Sequence, residues 1–500
     1  MFKWLRFPLA FLLGSAWFSL FQTWGAFPDP DAFFHSKIST LMFERGPLLS
    51  FPWLDLTVLH PGFNDQHLLF HYFLMPFVKW LGVLQGAQIG AVAAAGIFTM
   101  VALFAIEKLS IRYAWFWTAV MVALPPMLTR LSLGKASPFA IALFLLGVVA
   151  WKKNLRGWAF VIGMVYALTH GGWPLLIGAQ LVLAFGVWLY ERFVDEFKGW
   201  PDFHVALATL GGGLLGTFIH PNFPETLPYL WVQIFQIGVA TPIGRVVMGS
   251  EWYPYGPMEL LMHFSLWIVL GCLAAIGFVR ARRKQMDAEQ ASFTIACGCL
   301  VAIFIALTFK SARFVEYLAP VAVLWLASLF QQIDEVRLIA GLRQLFRYLP
   351  HVLVVAMLFI VGKGAIGTRT QLRMAAKSFT HMEKAMEVVS NELKPGERLF
   401  HSDWGQFPLL WSKNDSLRYV AGMDPVFLLQ ASSTLSDAYT ELTLGKNTST
   451  AFEVISGLFH SRLVLVERKP GQKLEDILRT DSRFQQMYAD DEAVIFRVKE

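Results

Sequence analysis

Apolar runs long enough to cross a hydrocarbon core of about 30 Å recur along the first three quarters of the chain. They fall near residues 7–26, 87–106, 113–129, 137–151, 157–172, 173–190, 203–219, 259–279, 291–309, 314–330 and 349–366, which predicts about eleven membrane-spanning helices. A further run, His67 to Gln85, is also apolar, but Pro76, Lys79 and a string of aromatic residues mark it as interfacial. After about residue 367 the spanning runs stop. Helical stretches at 371–393 and 426–457 then alternate with strand-like segments Arg398–Ser402, Leu417–Ala421, Arg462–Glu467 and Ala493–Val498. The fold class this predicts is a polytopic α-helical membrane protein with a C-terminal α/β domain.

Composition agrees: of 500 residues 55% are hydrophobic, 16% are charged, and the mean hydropathy is +0.49. A net charge of +6 would suit nucleic acid if it were concentrated. Here the basic residues are dispersed among short loops, so they orient a membrane protein instead. With the N-terminus cytoplasmic, eleven spans give the inner loops Lys3, Arg6, Lys108, Arg112, Lys152, Lys153, Arg156, Arg280, Arg282, Arg283, Lys284, Arg337, Arg343 and Arg347. Counting His67–Gln85 as a span would send the 280–284 cluster outside. An odd number of spans places residues 367–500 on the extracytoplasmic side, after a membrane module of residues 1–366 with large outer loops at 27–86 and 220–258. The first run, about twenty apolar residues behind Lys3 and Arg6, is longer than a signal-peptide core and reads as a retained span. Cys272, Cys297 and Cys299 lie in or beside apolar runs and read as packing residues. There is no internal repeat or low-complexity segment.

This topology gathers polar groups on one face. The first outer loop holds Asp29, Asp31, His35, Asp55, Asp65, His67 and His71, and the long outer loop holds His220, Glu225, Arg245 and Glu251. Lys310, Arg313 and Glu316 open the tenth span. Carboxylates with an arginine near the outer headgroups suit a reaction in which an acid binds or deprotonates an acceptor and arginine stabilises a phosphate leaving group. A lipid-phosphate sugar donor fits that chemistry.

Three segments carry a resemblance. Asp31-Ala32-Phe33-Phe34-His35-Ser36-Lys37 follows the order Asp-Pro-Tyr-Tyr-His-Leu-Arg, Glu251 stands in Gly249-Ser250-Glu251-Trp252-Tyr253-Pro254, and Arg313-Phe314-Val315-Glu316-Tyr317 opens a late span. In these the chain resembles the GT-C glycosyltransferases, and among them the catalytic subunit of oligosaccharyltransferase. The resemblance implies that Asp31 contacts the acceptor or a metal, with Asp29 as its neighbour, and that Arg313 contacts the donor phosphate. It makes Asp31, Asp29 and Glu251 the catalytic candidates. Asp65, His35, His67, Arg313, Glu316 and Asp403 become the substrate-binding ones. Asp31 and Glu251 are the candidate ligands of a divalent cation, magnesium or manganese. Asp403-Trp404-Gly405 falls where the family carries Trp-Trp-Asp-Tyr-Gly, but His401 and Ser402 replace the two tryptophans, which weighs against recognition of an asparagine sequon. The second outer loop, Arg130 to Pro138, lacks the family's Asp-x-Asp pair. Arg130 and Lys135 there could meet a phosphate instead, as in metal-independent members.

Each residue also has a plainer reading. Asp29, Asp31 and Asp65 could cap helices, and Asp403 could close a strand-to-helix turn. His35, His67 and His71 could be hydrogen-bonded surface groups, although His67 and His71 lie one helical turn apart, as metal ligands do. Glu251 could anchor a loop, Arg313 could pair with Glu316 one turn later, and His170-Gly171-Gly172-Trp173 reads as a turn. The expected function is transfer of a sugar or oligosaccharide from a polyprenyl-phosphate-linked donor to an extracytoplasmic acceptor, a protein, lipid or polysaccharide, at a bacterial inner membrane. The partners are thus that donor, the acceptor and the bilayer, with no nucleic acid. A transporter or flippase for a lipid-linked or anionic substrate is the competing class, though its charges would lie nearer the midplane. A structural partner in envelope assembly is a third.

Overall fold

The computed structural model describes residues 4–194, 199–258, 288–331, 349–446 and 449–499. The expected span 259–279, Cys272 and the basic residues Arg280, Arg282, Arg283, Lys284, Arg337, Arg343 and Arg347 lie outside them. The other ten apolar runs all fall on helices. Four described helices are long and apolar enough to cross a membrane: Val83–Lys108, Pro174–Val194, Ala288–Lys310 and the Ala312–Phe330 segment. Ser137–Lys152, Arg156–Thr169 and His204–Phe218 are apolar but shorter. The chain is therefore a multi-pass membrane protein, and length alone does not establish eleven crossings. The run 113–129 is not one helix. Leu124 is extended before Pro125, as a residue preceding proline tends to be, and separates Ala114–Ala123 from Pro125–Ser132.

The chain divides into two compact units. The first comprises Met1–Thr23, Gln88–Thr217 and Glu251–Ala375 and is helical. Its helices approach through small residues, because lipid tails supply no hydrophobic drive between them and close backbone contact must do so. The helix Arg156–Thr169 meets His204–Phe218 in this way. A Cβ on Gly163 would lie 2.2 Å from the Thr209 carbonyl oxygen, and one on Gly212 would lie 1.8 Å from that of Phe160.

The second unit comprises Trp24–Ala87, Phe218–Ser250 and Ala376–Glu500. Its five-stranded sheet contains β3 (Arg398–His401), β4 (Arg418–Tyr419), β5 (Leu463–Glu467), β6 (Phe484–Ala489) and β7 (Ala493–Val498) in the order β4-β3-β5-β7-β6. Strand β3 runs parallel to β4 and β5, whereas β7 is antiparallel to β5 and β6. Every residue of β5 is buried, as a strand covered on both faces requires. One face packs Phe400, Val464, Val466, Val494 and Phe496 against Leu474, Ile477 and Leu478 of the helix Gln472–Thr480. A second, two-stranded sheet pairs β1 (Ala26–Phe27) with β2 (Lys377–Ser378).

That pairing interrupts the helix expected over 371–393, which ends at Ala375 and resumes as Glu383–Glu392. The helix expected over 426–457 is likewise divided, into Pro425–Ala431, Ser433–Thr443 and a π-helical Glu453–Leu458. Both early loops are integral to this unit. Phe34, Phe51, Trp53, Phe407 and Trp411 form one aromatic cluster, mostly tilted or edge-to-face, with ring separations of 4.9 to 6.2 Å. Asp55 takes Arg398 Nη2 at 2.7 Å and Arg418 Nη1 at 2.9 Å. From the later loop, the Trp404 indole donates to the Val247 carbonyl at 2.8 Å.

Gly212→Ala is expected to lower stability by about 1–3 kcal/mol, the usual range for overpacking a tight contact, read as an earlier melting transition in detergent. Gly157→Ala, where a Cβ would meet nothing within 4 Å, is the control and should leave that transition in place.

Candidate functional site

Arg130 rides on the short helix Pro125–Ser132 that the proline break creates. Arg313 sits in the turn Ala312–Phe314, where Ser311 is extended after the helix Ala288–Lys310 ends. Glu251 lies in the turn Ser250–Trp252. Two bonds fix its backbone: Ser311 Oγ donates to the Glu251 carbonyl at 2.9 Å, and Ala312 N–H to that of Tyr253 at 2.8 Å. The Glu251 carboxylate is shared. Oε2 accepts from Arg130 Nη1 at 2.6 Å and Oε1 from Arg313 Nη1 at 3.2 Å. The Arg313 guanidinium also stands 5.0 Å from the Trp252 ring centroid, a cation–π contact. Arg130 Nε reaches Glu316 Oε2 at 3.4 Å, and Ser137 Oγ donates to the same oxygen at 3.3 Å. Arg313 and Glu316 therefore pair with other residues and not with each other.

Burial alone would raise the Glu251 carboxyl, but the charges of Arg130, Arg313 and Lys135 outweigh it and hold it well below the usual carboxylate range. Among the described residues, three cations, Arg130, Arg313 and Lys135, face two carboxylates, Glu251 and Glu316, here. Such a net-cationic cluster, with the Glu251 and Arg313 side chains 27% and 30% exposed, can bind an oxyanion.

The second unit holds another polar chain. Asp65 Oδ2 meets His71 Nδ1 at 2.8 Å, and His71 Nε2 meets His35 Nδ1 at 2.7 Å. All three residues are buried. Asp65 Oδ1 also accepts from the His67 N–H at 3.1 Å, just before the helix Leu68–Leu81. His220 Nε2 donates to the Asp65 carbonyl at 3.0 Å, since His220 Nδ1 accepts from Asn222 N–H at 3.1 Å. His71 thus bridges Asp65 and His35 through its two ring nitrogens. Burial would raise Asp65, but the charge and hydrogen bond of His71, aided by His67, hold it below its ordinary value. Burial pulls His220 down from its ordinary value, against the opposing charge of Asp65.

No family model and no curated protein matches the chain. Solved structures do. The archaeal oligosaccharyltransferase AglB from Archaeoglobus fulgidus, in complex with an inhibitory peptide and a dolichol-phosphate, superposes with a TM-score of 0.58 at 12% identity, covering 93% of this chain and 70% of that one. ArnT from Cupriavidus metallidurans, bound to undecaprenyl phosphate, superposes with a TM-score of 0.54 at 13% identity, covering 98% and 97%. This chain has the GT-C fold. At such identities the likeness is one of fold, so residue roles rest on geometry.

Within the GT-C framework, Glu251 does not suit a divalent cation. Both its oxygens are held by guanidinium groups, and a third cation acts on it. No group of three or more His, Cys, Asp or Glu that could hold a metal occurs among the described residues, which covers Asp31 and the histidines. Asp29 Oδ1 accepts the Asp31 N–H at 2.9 Å, just before the helix Asp31–Arg45, whose first turn Asp31 opens after Pro30. His35 follows one turn later, on the same face. Asp403 accepts the Gly405 N–H at 2.7 Å and caps the turn Trp404–Gln406 after β3. Neighbouring His401 is driven by burial down to about 4 and stays neutral. His71, His220 and Asn222 were not among the expected site residues. The His67–His71 spacing was the one available signal, and it pointed to a metal where the structure has a carboxylate.

Asp65→Asn should destabilise the protein by about 2 kcal/mol at pH 7, as loss of a buried charged hydrogen bond does. A carboxyl lowered in the folded state contributes stability above its unfolded value of about 4 and loses it as pH falls through the folded value. Denaturant midpoints should therefore separate the two proteins at pH 7 and converge below about pH 4.

Proposed function

We propose that this chain is a glycosyltransferase that moves a sugar or oligosaccharide from a polyprenyl-phosphate-linked donor to an extracytoplasmic protein, lipid or polysaccharide acceptor. The observation that carries this reading is the net-cationic Arg130–Glu251–Arg313 cluster, with Lys135, in a chain of GT-C fold. The AglB structure contains a dolichol-phosphate and the ArnT structure an undecaprenyl phosphate, which supports a donor of that class here.

In this reading Arg313 and Arg130 hold the donor phosphate. The acceptor oxygen attacks the anomeric carbon, the carbon–oxygen bond to phosphate breaks, and the phosphate leaves with the electron pair. The arginines stabilise the charge that develops there. Asp31 orients the acceptor or takes its proton, and Asp29 fixes the helix turn that presents it. Asp65, through His71, positions His35 one turn beyond Asp31. Residues 367–500, Asp403 among them, help to select the acceptor. The topology is eleven spans in a bacterial inner membrane, with the N-terminus cytoplasmic and the C-terminal domain periplasmic.

Asp31→Asn is expected to reduce transfer by about 10²-fold or more, the scale of a lost general base, with expression and melting temperature retained. A fully active variant would remove Asp31 from the mechanism. Asp403→Cys should react with a membrane-impermeant maleimide added to spheroplasts. Labelling only after lysis would invert the proposed topology.

A further inference from the structure

Glu251 occupies the place an anionic ligand would take. Its carboxylate bridges guanidinium groups from two separate segments, one contact to each, at 2.6 and 3.2 Å. Arg130 is also tied to Glu316, so it keeps its position when Glu251 moves. The turn that carries Glu251 is fixed through main-chain carbonyls, by Ser311 and Ala312, and not through the carboxylate. The side chain can therefore leave the arginines by rotation alone, and its 27% exposure gives it room. Arg313, resting on Trp252, likewise has a second support.

We infer that Glu251 is a resident competitor for the phosphate of the lipid, displaced when the lipid headgroup binds and returning to the arginines to expel the spent polyprenyl phosphate. This rests on the phosphate reading above. Its chemistry follows from charge. A sugar phosphodiester carries one negative charge, and after transfer the phosphomonoester left behind carries up to two, so the product would bind the same cations more tightly than the donor. An internal carboxylate that reclaims both guanidinium groups offsets that gain. If Glu251 instead served only to align the arginines, its removal would weaken phosphate binding.

The two roles predict opposite signs. With undecaprenyl phosphate as the probe and undecaprenol as the tail-matched control, binding is measured by native mass spectrometry on the intact protein. Glu251→Gln and Glu251→Ala should each retain undecaprenyl phosphate about tenfold more tightly than the unsubstituted protein, the effect of removing about 1.4 kcal/mol of competition. Arg313→Gln should bind it more weakly, showing that the probe reads this cluster. Unchanged or weaker binding in either glutamate variant that keeps its melting temperature overturns the competitor role but leaves the phosphate reading intact. If neither the unsubstituted protein nor any variant prefers the phosphate over the alcohol, the phosphate reading falls and the competitor role with it.

Discussion

One carboxylate shared between two guanidinium groups organises the candidate site. Arg130 and Glu251 are 121 residues apart, and Arg313 lies 62 beyond Glu251, so no local rule brings them together. Two arginines placed this close, with Lys135 acting on the same point, would repel one another without a counter-charge. Glu251 supplies it, and Glu316 holds Arg130 from its other edge. The ring of Trp252 supports Arg313, so each guanidinium group has a partner besides Glu251. Among the described residues the cations of this cluster outnumber its carboxylates.

Local backbone events place these groups. The proline pair at Pro125 and Pro126 ends one helix and starts a short second one on which Arg130 is carried. An extended Ser311 separates two long helices and leaves Arg313 in a turn, where its guanidinium is not confined to a helix face. In the second unit, an aromatic cluster and the Asp55 carboxylate do comparable work by tying the early loop to the sheet domain. Asp55 and Arg398 are largely buried, and removing one partner of such a pair leaves an uncompensated charge, which costs about 3–5 kcal/mol.

Much of this architecture was legible in the sequence because burial in lipid or under helices leaves strong apolar patterns. The ten described spanning runs coincide with helices, and the expected segments at β3, β4, β5 and β7 coincide with strands. Strand β6 was missed because Phe484–Ala489 is an edge strand with Gln485 and Gln486 exposed, so its sequence reads as polar loop. The break at 376–382 was missed because it is imposed by pairing with residues some 350 positions earlier. Site partners failed for the same reason. Spacing suggested Arg313 with Glu316, a local i,i+3 pair, whereas the structure pairs each with a residue from a distant segment. The first-loop acids were found by type, but their surroundings were not.

Those surroundings separate carboxylates that the sequence treated alike. Efficient proton acceptance needs a base whose affinity for the proton is matched to the working pH. Glu251 is held well below the ordinary range by cations, and Asp65 is held below it by His71 and His67. Both are committed anions, suited to holding other groups in place and poorly suited to taking a proton from an acceptor hydroxyl. Asp29 accepts the Asp31 N–H. The division of labour that follows is electrostatic: Glu251 balances the charge of the arginines, and Asp65 orients the histidine pair.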